Sequence, residues 1–117
     1  MQNVTAQFLN DHVRLVERSR ALHLAIASKI RGNPGLIDIA RQNLQRWLSD
    51  ERAHGQVSAG LLEWQKILQR ATVNEIVQLL SDSSEEADRL RHATPFCGIL
   101  TEAERQSIYQ QHAPIPA

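Results

Sequence analysis

"VERSRALHLAIASKI", Val16–Ile30, is the stretch on which the fold turns. It reads as helix, yet Arg20 and His23 stand where that helix should be apolar. On a wheel of about 100° per residue, Phe8, Leu15, Leu22, Ile26 and Ile30 gather on one side. Leu9, Val13, Val16 and Ala27 carry the apolar surface through about another quarter-turn. The arc approaches ~180°, where an ordinary surface helix shows a stripe of at least about 100°. Two expectations follow. Either this helix is central and covered by several others, or one flank packs inward and the second flank meets a partner.

Working outward, the helix is expected from Asn3 or Thr5 to Arg31, and "RGNPG" ends it. Gly32 is suited to a left-handed cap, Asn33 to an N-cap and Pro34 to a first helical position. A second helix is expected over Pro34 to Ser49, burying Leu36, Ile37, Ala40, Leu44, Trp47 and Leu48. "DERAHGQVS" reads as a polar link, and a third helix starts near Ser58. Three capping boxes follow: Thr72/Glu75, Ser83/Glu86 and Thr101/Glu104. In each, the hydroxyl accepts from an early backbone N–H while the carboxylate reaches back. They predict helices over Val73 to Leu80, Ser84 to Ala93 and Glu102 to Gln111. "TPFCG" is a non-helical elbow, because Pro95 disfavours helix at Thr94.

No segment shows the period-two alternation of a strand. The sequence therefore predicts an all-α fold: a compact single-domain bundle of five to six helices over residues 1–111, with a long N-terminal helix. Short links favour antiparallel neighbours, so the first helix is expected against the second. "HAPIPA", His112 to Ala117, is expected to be a flexible tail.

The chain has 117 residues and 42% hydrophobic content, enough for one core and little more. Thirteen basic and thirteen acidic residues cancel. Met1 to Arg52 carries +3 and Ala53 to Ala117 carries −3. That mild dipole can steer a partner but is far from a DNA-binding stripe. One cysteine, Cys97, excludes an internal disulfide and suits a reducing compartment. No apolar run approaches the ~20 residues of a membrane span. "MQNVTAQFLNDH" lacks the basic start and apolar centre of a signal peptide. A cytoplasmic location is expected.

Arg20 and His23 are three residues apart and neighbours on the second flank. They are either satisfied inside the fold or aimed at another molecule. An Arg ringed by Val13, Val16 and Ala27 has the composition of an interface hot spot. Arg14, Arg18 and Lys29 form a basic strip on the other margin. It is expected to be a solvated face, or a contact for phosphate or an acidic protein. Ser19, small and central on the first flank, suits a close helix crossing.

Catalytic chemistry finds little support. The five histidines form no HExxH or other close ligand pair, so no metal and no cofactor is expected. Cys97 reads as a small apolar filler beside Phe96. There is no P-loop, GxGxxG or GxSxG. A helix-turn-helix over the third and fourth helices would read DNA with "VNEIVQLL", which has no Arg or Lys.

The chain resembles a family of short bacterial helical proteins that carry an R-x-L-H-x-x-I helix, a Pro-initiated helix ending in R-W-L, and a P-F-x-G-I-L-T-x-x-E-R segment. Here these are Arg20, Leu22, His23 and Ile26; Pro34, Arg46, Trp47 and Leu48; and Pro95, Phe96, Gly98 to Thr101, Glu104 and Arg105. Members resemble the small partner of toxin–antitoxin-type operons. The resemblance implies an antitoxin-like, non-enzymatic protein that binds a cognate toxin and blocks it.

The expected contacts are Arg14, Arg18, Arg20 and His23. A homodimer through the first helix is a further expectation. A DNA-binding regulator is the alternative function, and a helical ligand-binding domain or enzyme a further one. The Arg20/His23 pair and the Phe96–Gly98 elbow also meet in the pattern, which suits an internal role in which Arg20 bonds elbow carbonyls.

Overall fold

Hydroxyl caps and one sharp glycine turn divide the chain into helices. The computed structural model describes residues 4–114. Among them it is all-helical: α1, Val4–Gly32; α2, Ile37–Ala53; α3, Ala59–Arg70; α4, Val73–Ser81; α5, Glu85–Arg91; and α6, Glu102–Gln111. A 3₁₀ turn, Pro34–Leu36, joins α1 to α2.

The capping boxes at Thr72/Glu75 and Thr101/Glu104 form with both reciprocal bonds. The one expected at Ser83/Glu86 does not. Ser84 is the N-cap instead, accepting from Ala87 N–H at 3.1 Å. Asp82 accepts from Ser84 N–H and Arg20 takes the Ser83 carbonyl, so the helix begins one residue later.

Two expected links are also corrected. Gly32 is not left-handed: the positive-φ glycines are Gly55 and Gly98. Asn33 makes no side-chain cap, and Pro34 opens the 3₁₀ turn. α2 runs four residues past Ser49, because "DERA" is helix-compatible and the turn waits for Gly55 at φ 78°. The link is not loose: Glu51 in the last turn of α2 accepts from Ser58 N–H at 2.6 Å, ahead of α3. Of the expected tail, residues 115–117 lie outside the described residues.

The core sits between α1, α2, α3, α4 and the elbow. Its centre is Trp64, fully buried, whose ring meets Phe96 edge-on at 5.4 Å and whose Nε1–H donates to the Leu90 carbonyl at 2.7 Å. Ile30, Leu48, Ile76 and Leu80 belong to the same core, each 1% exposed or less. Asn43 is buried in α2 and donates to the carbonyls of Pro95 and Cys97, fixing the elbow's backbone. Gly60 lets α3 approach that elbow: a Cβ there would stand 2.7 Å from Ala93 Cβ.

α1 packs chiefly on α4, not on α2 as its short link suggested. The flank bearing Ala27, 0% exposed, faces inward. The helix has 29 residues. At 1.5 Å per residue it is about 43 Å long, far longer than the core it serves. Its first turns therefore project, and the molecule measures 50 × 37 × 26 Å.

Candidate functional site

The polar residues of the second flank are engaged by the chain itself. Arg20 grips Asp88 of α5 with two bonds, Nε to Oδ1 at 3.0 Å and Nη2 to Oδ2 at 2.6 Å. Its Nη2 also donates to the Ser83 carbonyl at 3.0 Å. Asp88 accepts from a second guanidinium, Arg91 Nη2, at 2.6 Å. Arg91 has a fully buried side chain and donates further to the Leu79 carbonyl. Arg20 foremost, and Arg91 after it, hold the Asp88 carboxyl below its usual range while desolvation opposes them. This node ties α1, α4 and α5 together. Arg20 thus bonds the α4–α5 turn and not the elbow.

His23 is 3% exposed. Its Nδ1 lies 2.7 Å from the Ser19 carbonyl, which only accepts, so Nδ1 carries the proton. Nε2 of the neutral ring then accepts from Thr94 Oγ1–H at 2.9 Å. Thr94 in turn accepts from Phe96 N–H, so His23 pins the elbow to α1. Burial foremost, with the nearby Arg91 charge adding to it, lowers its pKa to about 4 against the Ser19 bond.

The basic strip likewise meets α6 and not open solvent. Arg14 Nη1 donates to the His112 carbonyl at 3.2 Å, Arg18 lies 5.0 Å over the Tyr109 ring, and Lys29 Nζ donates to Glu104 at 2.7 Å. The order of these contacts makes α6 antiparallel to α1. Lys29 also takes the Ile99 carbonyl at 3.0 Å. Lys29 foremost, then the Thr101 capping bonds, lowers the Glu104 pKa to about 2.

The projecting end of α1 carries the exposed apolar side chains. Phe8 is 69% exposed, Leu9 54%, Val13 53% and Leu15 42%. Val16 is half-buried, and Ala27 is core, so the wide apolar arc divides along the helix. Its later turns are covered by the bundle, and Phe8, Leu9 and Val13 on its early turns stay exposed. Where the bare part meets the bundle, a cavity of about 260 Å³ opens between α1 and α5, bordered by His12, Leu15, Val16, Ser19, Asp88 and His92. Ser19 lines this opening.

Cys97 is exposed, so it is not a filler beside Phe96; its backbone turns the side chain out while Phe96 is buried. Among the described residues, no group of three or more His, Cys, Asp or Glu is placed to hold a metal ion. No helix there is long and apolar enough to cross a membrane. α4, the would-be recognition helix, buries Ile76, Val77 and Leu80 and commits Glu75 to its cap.

Asp88, Arg91 and Asn43 were missed in the sequence. Arg91 follows Ala87 by four residues and so shares the apolar face of α5; that spacing is the signal. Asn43 adjoins the apolar row of α2 without any motif. No protein-family model, no curated protein and no solved structure matches the chain.

Proposed function

We propose that the chain is a protein-binding module that seats the projecting end of α1 in a groove of a partner. The observation that carries this is the row of bare apolar side chains on that end. Leu9, Val13 and Val16 stand at i, i+4 and i+7, and Phe8 and Leu15 at i and i+7. This is the spacing of an amphipathic helix that enters an apolar groove. A helical end that adds no core yet keeps a greasy face is costly unless something covers it.

Likeness to the antitoxin-type family supplies the partner class: a cognate toxin, blocked by a helix laid across its active site or substrate groove. The contacts move from Arg20 and His23, which the fold itself engages, to Phe8, Leu9, Val13 and Leu15. Arg14 stands beside this row, and its guanidinium lies within 3.8 Å of Asp11.

The test is co-purification of tagged protein with the product of the neighbouring reading frame, expressed from one plasmid. Phe8→Asp and Leu9→Asp are expected to abolish recovery while leaving the melting temperature within about 2 °C, because surface changes away from packing cost about 0.5 kcal/mol or less. Recovery unchanged in both variants refutes the reading.

A further inference from the structure

We infer that α6 is a displaceable strap, lying over the continuation of the very stripe that docks the partner. This rests on the docking role proposed for the α1 end.

Phe8, Leu15, Leu22 and Ile26 fall within about 40° of one another around α1. They form one apolar line about 27 Å long. Its first half is bare and its second half lies beneath α6. A partner groove that takes in Phe8 and Leu15 and continues along α1 runs next into the ground that α6 occupies.

The cover is poorly seated. α6 has no buried residue. Alongside it lies a half-open cleft of about 140 Å³, bordered by Leu22, Ile26, Phe96 and Leu100 on one side and by Arg105 and Tyr109 of α6. Ile108 alone packs, half-buried, against the core; the other attachments of α6 are Arg14 on the His112 carbonyl, Arg18 on Tyr109 and Lys29 on Glu104. These polar contacts are only half-buried, and contacts of this sort are individually weak and partly screened by salt. Two of the guanidinium nitrogens involved, Arg14 Nε and Arg105 Nε, are buried without a hydrogen-bond partner. The preceding segment is different: Ile99 and Leu100 are buried, 4% and 7% exposed, and hold the strap's root. Thr101 is thus the pivot, and α6 lifts while the elbow stays.

Hydrogen exchange on the free protein tests the device. Amides of Glu102–Gln111 are expected to exchange at least about 100-fold faster than those of α3, as sub-global opening allows. Raising NaCl from 0.05 to 1 M should accelerate α6 a further ~5-fold and leave α3 unchanged. Lys29→Gln should accelerate α6 alone. Protection of α6 equal to that of α3, insensitive to salt and to Lys29→Gln, overturns the strap.

Exchange on the co-purified complex tests the competition. α6 freed in the complex supports it; α6 protected in the complex as in the free chain overturns it. A complex that survives Phe8→Asp removes the docking reading instead, whatever the exchange of α6 in the free chain.

Discussion

Lowering the pH from 7 to 5 should weaken the fold through His23, and the size of the loss follows from its surroundings. The folded ring is neutral, its Nδ1–H held by the Ser19 carbonyl and its Nε2 occupied by Thr94. Protonation would put a second donor where Thr94 donates, and a charge near Arg91. The folded pKa is about 4 against an ordinary 6.5. Between those values the unfolded chain binds a proton that the folded chain refuses, so stability falls as pH falls. The loss is negligible above pH 7, about 2 kcal/mol at pH 5 and about 3 kcal/mol at pH 4. Urea titrations at pH 7, 6 and 5 read it directly. With a slope of about 1.5 kcal/mol/M, the midpoint should drop by roughly 1.3 M at pH 5. His23→Gln does not titrate there and should lose this component of the pH dependence, though it starts from a lower midpoint. Parallel curves for wild type and His23→Gln would refute the assignment of a buried neutral ring.

The remaining predictions concern other ties. Asp88→Ala leaves the buried Arg91 charge without its carboxylate; it should cost about 3–5 kcal/mol by chemical denaturation, and Arg20→Ala less, since Arg91 keeps Asp88. Glu104 has a folded pKa of about 2 against 4.5, so its contribution is complete above pH 4.5 and disappears as pH falls through 2; amide signals of α6 should lose dispersion across that window, and a Glu104→Gln variant should show the same loss already at pH 7. Gly60→Ala places a methyl 2.7 Å from Ala93 Cβ; the overpacking should cost about 1–3 kcal/mol in a thermal melt, and a neutral result would mean the elbow yields freely.

Local rules were legible in the sequence because they act over three or four residues. Thr72 and Thr101 announced their helices with the Glu that completes each box. Ser83 failed for a long-range reason: its carbonyl belongs to Arg20, 63 residues away. The same distance effect hid the main partner of α1. A short link placed α2 beside it, yet α1 packs chiefly on α4, where Ile76, Val77 and Leu80 form the stronger apolar face. The width of the apolar arc on α1 was visible on a wheel. Its division along the axis was not, since a wheel discards height: Val13 and Ala27 share a flank but stand 14 residues apart, one 53% exposed and the other 0%. Lys29 and Arg14 looked like surface charge because their partners, Glu104 and the His112 carbonyl, come 75 and 98 residues later.

The outreach of α1 also governs how the molecule moves through solvent. A folded chain of this length has a radius of gyration near ~13 Å. Here it is 15.9 Å, with a long axis of 50 Å against a short one of 26 Å. Friction rises with such elongation, so a single chain will elute early from a sieving column and pass for a heavier species. Mass should therefore be read by sedimentation equilibrium or light scattering, where shape drops out and one chain is distinguished from two.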